Sequence, residues 1–262
     1  MPEGHTLHRL ARDHSKLLAG GRVKVSSPQG RFESGAVLLD GKILKSVEAY
    51  GKHIYYIFSG SKVLHIHLGL YGKFHLYKSP PPPPRGAVRV RLIGKTHAID
   101  LNGPNQCKVL SSSEFVESKS RIGDDPLRAD ADPERVWARI HKSKKPIGIL
   151  LLDQSIIAGI GNIFRAEILF LLQIYPSRPG ISVTRVEFDE LWKTSVRLLE
   201  IGVKYNQIIT VPLNDTKKPV RNLSIGERLW IYKKKFCPRC LSQPNSWLLG
   251  NRKMYACERC QV

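Results

Sequence analysis

Four cysteines near the end of the chain, Cys237, Cys240, Cys257 and Cys260, form two C-x-x-C pairs separated by residues 241–256. Each pair aims two thiolates at one point, and the interval is long enough for a β-hairpin that brings the two points together. This is the spacing of a tetrahedral zinc ribbon. No histidine lies among the four, so the spacing predicts a closed, all-cysteine site for one structural Zn2+ ion. Two disulfides or a redox pair are the alternative, but Cys107 is the only other cysteine and nothing else suggests secretion. The hairpin also carries Arg239, Arg252, Lys253 and Arg259, a charge that suits phosphate.

The opposite end offers different chemistry. The chain begins Met1-Pro2-Glu3-Gly4. Removal of methionine before proline leaves a secondary amine, and α-amino groups titrate near pH 8 or just below. Such an amine can attack an electrophilic carbon and, after loss of a leaving group, form an iminium. Glu3 stands next to it to supply or accept a proton. A third signal is Gly159-Ile160-Gly161-Asn162, where glycines permit a tight turn directly before a helical pattern. A helix start with an Asn side chain, near Lys144 and Lys145, can cradle a phosphate, although a plain packing corner would read the same way.

Composition agrees with a polyanionic partner. Lys and Arg number 42 against 22 Asp and Glu, for a formal net charge of +20 and a pI near 9.9. Residues 1–15 contain no apolar signal core. The longest apolar stretch, residues 149–172, is interrupted by Asp153, Gln154, Arg165 and Glu167, which argues against a membrane span. These features predict a cytoplasmic, nucleoid-associated monomer without membrane attachment.

The elements that must position these residues follow from periodicity. Leu7, Leu10, Ala11, Leu17 and Leu18 predict a helix over residues 5–18. From about 20 to 110 the apolar period becomes two. Leu64, Ile66 and Leu68 alternate with His65 and His67, and Val88, Val90 and Leu92 alternate with Arg89 and Arg91. Short strands with Gly-rich turns predict a β-sandwich or barrel, with Pro80 to Pro84 on a surface loop. Helices are expected at 134–142, 147–154, 163–173 and 187–202, and strand-like residues return at Leu229 to Tyr232.

With an N-terminal Pro-Glu, a Gly-x-Gly-Asn turn and a terminal four-cysteine hairpin in that order, the chain resembles the formamidopyrimidine-DNA glycosylase/endonuclease VIII family over essentially its full length. YGKH at 50–53, HLGLYGKF at 67–74, RIGDDPL at 121–127 and LLLDQSIIAGIGNIFRAEILF at 150–170 resemble family segments in the family's order. The resemblance implies an α+β multidomain fold. Residues 1–120 would form a catalytic β-sandwich with an N-terminal helix, 121–133 a linker, 134–226 a helix–two-turn–helix domain, and 227–262 a zinc finger. It further implies a bifunctional DNA glycosylase/AP lyase acting on double-stranded DNA that contains damaged bases or abasic sites. Pro2 would attack C1′, Glu3 would protonate the deoxyribose ring oxygen, and Lys52 would hold a phosphate and aid proton transfer. Asn162 and Arg121 would bind backbone phosphates. Arg252 would grip the phosphate of the extruded nucleotide and assist δ-elimination. Leu70 and Tyr71 would enter the stack as a wedge.

Two departures qualify the resemblance. Family members often carry a second Pro-Glu where this chain has His5 and Thr6, so a carboxylate is missing near the nucleophile. The purine-lesion branch has an Arg-Arg-Phe wedge where this chain reads Gly103-Pro104-Asn105-Gln106-Cys107. Together with Leu70-Tyr71-Gly72, this favours the endonuclease VIII branch and oxidised pyrimidines. A catalytically silent DNA-binding relative is the competing expectation, and the presence of Pro2, Glu3 and Lys52 speaks for the enzyme.

Overall fold

In the computed structural model, which describes residues 2–215 and 218–262, the first helical pattern becomes α1, Gly4–Leu18. Leu7, Ala11, His14 and Leu18 share its buried face, and the chain leaves it through extended Ala19 and left-handed Gly20. Then come β1 (Lys24–Ser26), α2 (Glu33–Leu39), β2 (Leu44–Tyr50), β3 (His53–Phe58), β4 (Lys62–His67) and β5 (Lys73–Lys78). β6 (Val88–Ile93), β7 (His97–Asn102), β8 (Gln106–Leu110) and α3 (Ser112–Ser120) complete a first unit that closes at Arg121.

Its strands form two antiparallel four-stranded sheets, ordered β1-β6-β7-β5 and β2-β3-β4-β8. The alternation read from sequence decides which side chains turn inward. Val90, Leu92, Ile99 and Leu101 from one sheet join Ile54, Tyr56, Leu64, Ile66 and Leu68 from the other, with Leu7 and Ala11 of α1, in a single core. Pro80 to Pro84 lie in the loop between β5 and β6, as expected. α2 and α3 were not expected. α3 buries no residue and so shows no apolar stripe, yet its Ser111/Glu114 capping box is a sequence signal. α2 exposes Val37 and Leu38 while burying Ala36 and Leu39, which blurs its period.

The second unit, Ile122–Val262, contains α4 (Pro133–His141), α5 (Ile147–Leu150), α6 (Asn162–Leu171), α7 (Arg185–Tyr205), α8 (Ile225–Arg228), β9 (Asn245–Leu249) and β10 (Arg252–Ala256). Asp132 caps α4 and Thr184 caps α7 in a capping box with Glu187. α5 is one turn long, not the longer helix expected at 147–154. Asp153 folds an Asx turn there, its Oδ1 accepting bonds from the Ser155 N–H and hydroxyl at 3.0 and 2.6 Å.

Of residues 121–133, expected as a linker, all but Arg121 lie inside this unit. Asp124 accepts a bond from Arg135 at 2.6 Å, and its carbonyl accepts one from the Ala158 N–H at 2.9 Å. The cysteine hairpin also shares the unit's core, because Leu249, Met254, Cys237 and Cys257 pack in one cluster with Phe164, Leu169 and Phe170.

Candidate active site and metal centre

Pro2 is half-buried, and Glu3 at the N-cap of α1 is fully buried with its carbonyl accepting the Thr6 N–H at 2.9 Å. His5, where a carboxylate is absent, is buried beside Thr6 with Nε2 3.2 Å from its hydroxyl. Burial pulls the His5 imidazole down to about 4, so it stays neutral at physiological pH. α1 packs on β2 and β3, the strands whose connecting turn, with Gly51 at φ 57°, carries Lys52.

Beside that turn lies a row of histidines, of which the sequence showed His65 and His67 only as the polar half of an alternation and His53 only as the end of YGKH. His53 and His67 are cross-strand partners, and His65 points to the same sheet face. His53 Nδ1 is 2.8 Å from His65 Nε2, and the His65 ring stacks on Tyr55 at 4.5 Å between centroids. Burial pulls His53 to about 4 and His65 to about 3, and it lowers His67 as well. After burial, the Lys52 charge lowers both His53 and His67 further.

The turn after β4 holds Leu70 and Tyr71 in the open, 53% and 86% exposed. Glycines make the turn possible. Gly69 sits at φ +66°, where a Cβ would lie 2.7 Å from the Asn105 side chain, and a Cβ on Gly72 would lie 2.4 Å from the Leu68 carbonyl oxygen. The neighbouring Gly103 loop packs against the Tyr71 backbone. Arg121 follows α3 as an exposed residue paired with Glu117.

In the second unit, the Gly159–Gly161 turn is stitched by Gln154, whose amide donates to the Leu152 and Ile160 carbonyls at 2.9 Å and accepts the Gly159 N–H at 3.0 Å. Only Gly159 of the two glycines needs positive φ, at 89°. Asn162 opens α6 but is buried, its Oδ1 accepting from Arg165 at 2.6 Å and its Nδ2 donating to the Lys253 carbonyl at 3.0 Å. Arg252 is exposed at the hairpin tip, beside a two-residue turn with Gly250 at φ +63° and Asn251 at φ 57°.

Leu229 to Tyr232 form no strand. The Glu167 carboxylate takes the place of a neighbouring strand, accepting the N–H groups of Trp230, Ile231 and Tyr232 at 2.6, 2.9 and 2.8 Å, together with the Thr210 hydroxyl. Burial pushes this carboxyl up against the pull of those bonds. Arg165 and Glu167 were read from sequence only as interruptions of an apolar stretch. A charge inside an otherwise apolar helix is the signal that could have found them, because such a group survives burial only with several partners.

The four cysteine sulfurs lie within 4.8 Å of one another. Cys237 and Cys260 Sγ are 3.8 Å apart and Cys240 and Cys257 Sγ 3.4 Å apart, too far for disulfides. Four thiolates at about 2.3 Å around a tetrahedral zinc would stand about 3.8 Å from each other, so this donor set fits such an ion.

Residues 1–105 match the formamidopyrimidine-DNA glycosylase N-terminal domain, and residues 122–212 match the formamidopyrimidine-DNA glycosylase H2TH domain. Endonuclease 8 1 of Mycobacterium tuberculosis is 43% identical over 269 residues, covering 100% of both chains. Endonuclease 8 of Pectobacterium atrosepticum is 28% identical over 100% of both. The Lactococcus lactis Fpg in complex with abasic-site DNA superposes with a TM-score of 0.81 at 20% identity over 99% of each chain. Fold and relatives together define a DNA glycosylase with AP-lyase activity, an enzyme of base-excision repair. The chain belongs to the formamidopyrimidine-DNA glycosylase/endonuclease VIII family. Among the described residues no helix is long and apolar enough to cross a membrane.

Proposed function

We propose that this enzyme removes oxidised pyrimidines in preference to 8-oxoguanine, working on the nucleoid through Pro2. The exposed Leu70–Tyr71 turn carries this reading. Its two apolar side chains stand free of the core on a glycine-shaped turn. The adjoining loop, Gly103 to Gln106, supplies neither arginine nor phenylalanine. An aliphatic–aromatic wedge without a guanidinium fills the vacated stack but offers no pattern suited to the base opposite a purine lesion.

In the proposed reaction the Pro2 nitrogen bonds to C1′ while the glycosidic C1′–N bond breaks, its electron pair leaving with the base. The amine's N–H proton passes to the departing base, Glu3 protonates the ring oxygen, the sugar opens, and an iminium links protein to DNA. Loss of a C2′ proton expels the 3′-phosphate, and a second elimination expels the 5′-phosphate, leaving a one-nucleotide gap. The burial of Glu3 beside Pro2 supports its role, since a carboxyl shielded from bulk water can exchange a proton with the bound sugar alone. Lys52 and Arg121 would pair with phosphates, Arg121 by exchanging Glu117 for DNA. An amide nitrogen carries two hydrogens, so the bond from Asn162 to Lys253 leaves a donor for a phosphate. Arg252 would hold the phosphate of the extruded nucleotide. One zinc ion bound by Cys237, Cys240, Cys257 and Cys260 would supply folding stability to the hairpin and no step of the reaction.

Borohydride trapping on an abasic duplex tests the nucleophile, with mass analysis confirming that Met1 has been removed. The expected result is a covalent adduct that Pro2→Ala abolishes, and undiminished trapping by that variant would refute the assignment. Matched duplexes carrying 5-hydroxyuracil or 8-oxoguanine test the substrate. Faster excision of 8-oxoguanine would refute the pyrimidine preference.

A further inference from the structure

α6 is apolar around almost its whole circumference, yet Arg165 sits in its middle with 0% exposure. A guanidinium in such a place is costly unless its donors are matched. Nη1 donates to the Gly148 carbonyl at 2.8 Å and to the Leu249 carbonyl at 3.0 Å. Nη2 donates to Asn162 Oδ1 at 2.6 Å, and Asn162 Nδ2 in turn donates to the Lys253 carbonyl at 3.0 Å. Leu249 and Lys253 are on opposite strands of the hairpin and bracket its tip, where Leu249 pairs with Arg252 across the Gly250-Asn251 turn. Two bonds from one helix therefore grip both sides of the turn that carries Arg252.

Gly148 makes room for this grip. A Cβ there would lie 2.8 Å from the Leu249 side chain and 3.0 Å from the Pro176 carbonyl oxygen, so only glycine lets α5 and the tip approach so closely. The cysteine cluster lies past the opposite ends of the same strands, at Cys240 before β9 and Cys257 after β10. The cysteines fix the base of the hairpin, and α6 fixes its tip.

We infer that Arg165 is a positioning residue for Arg252, clamping the hairpin tip to the helix–two-turn–helix through Leu249 and, by way of Asn162, through Lys253. The inference rests on the reading of Arg252 as a phosphate-gripping residue. A planar fork can serve carbonyls on two elements and a side-chain amide at once, whereas a lysine ammonium at the same place cannot span them. Loss of the fork leaves the hairpin hinged on its metal-binding base, with Arg252 free to drift, and a drift of about 1 Å at a reacting phosphate is enough to slow chemistry.

The test is a double-mutant cycle on zinc-loaded enzyme with an abasic duplex, using Arg165→Lys, Arg252→Ala and both together. Arg165→Lys is expected to keep one zinc per chain and full borohydride trapping at saturating DNA. It should raise KM roughly tenfold, the ratio expected for one lost charge-assisted hydrogen bond. It should also lower the share of δ-elimination product, and amide exchange at 249–253 should accelerate. In the Arg252→Ala background it should change KM and product ratio no further than about twofold, as non-additivity through a shared group requires. A silent Arg165→Lys, or losses that multiply in the double variant, overturns the clamp while leaving the reading of Arg252 intact. A silent Arg252→Ala overturns that reading and the clamp with it. If Arg165→Lys fails to fold, Gly148→Ala displaces the same tip with the guanidinium retained. The same absence of effect in the Arg252→Ala background is then expected, and independent effects overturn the inference.

Discussion

The two units of this enzyme satisfy the polar groups in their cores in different ways. The sandwich pairs its buried charges side chain to side chain, as Arg91 does with Asp100 at 2.6 and 2.7 Å, and fills other inward polar positions with neutral imidazoles. His5, His14, His53 and His65 are imidazoles that burial holds at about 4 or below, and they bond to one another or to hydroxyls, as His14 Nδ1 does to the Tyr56 hydroxyl at 2.6 Å. The helical unit instead spends the donors and acceptors of buried ionisable groups on backbone. Arg165 serves the carbonyls of Gly148 and Leu249, and Glu167 takes three consecutive N–H groups. Neutral imidazoles make a unit sensitive to protons. Backbone-satisfying charges make one sensitive to substitution, because each removal strands several buried polar groups together.

Metal removal should produce the widest separation between the units. Chelation, or Cys237→Ser, is expected to cost about 10 kcal/mol of local stability, the scale of structural zinc sites. Hydrogen exchange should show this loss around 237–261 and leave the sandwich protected. Equal loss in both units would break the contrast.

Glu167→Ala comes next. It leaves the N–H groups of Trp230, Ile231 and Tyr232 and the Thr210 hydroxyl without their acceptor, at a cost of about 4 kcal/mol measurable by denaturant unfolding. A cost no larger than that of an ordinary surface substitution would show that the segment is held by packing alone.

Acidification should reverse the order of sensitivity. Histidine titrates at 6.5 when exposed, whereas His5, His14 and His53 lie at about 4 in the fold. As pH falls from 6.5 toward 4 the unfolded chain binds protons that the folded one refuses. The contribution of these groups is therefore complete above about pH 6.5 and is lost below it, on the order of 2 kcal/mol for each fully buried histidine by pH 5. Exchange at pH 5 should rise first in residues 2–121, and His14→Gln should flatten the dependence. An unchanged unfolding midpoint between pH 7.5 and pH 5 would contradict this.

Tyr71→Ala should have the smallest effect on stability, within about 0.5 kcal/mol, because the ring lies outside the core. Its effect belongs to function. Excision of a 5-hydroxyuracil lesion should slow roughly tenfold, the scale of one lost aromatic stack on a base. A variant as active as wild type would remove Tyr71 from the wedge.

Much of this was legible in the chain itself. Period-two alternation is imposed by the pleat, so Leu64, Ile66 and Leu68 had to share a face in any sheet that kept their strand. The two C-x-x-C pairs fixed a four-sulfur cluster in the same local way, because each pair's geometry depends on a few adjacent residues. Pro2-Glu3, the glycine turn and the exposed Leu70-Tyr71 turn were likewise visible as short segments. What tertiary structure alone decided was where each polar group would find its partner. Arg165 lies far along the chain from Leu249, as Glu167 does from Trp230, and no periodicity relates them. The same holds for α3, which has no stripe to display and is placed by Tyr55 and Phe115 across the sheet face. Local patterns are written by the period of the backbone, which sequence carries. A buried charge is decided by which distant carbonyl or N–H the packed core brings within hydrogen-bond reach, and only the closed fold supplies that.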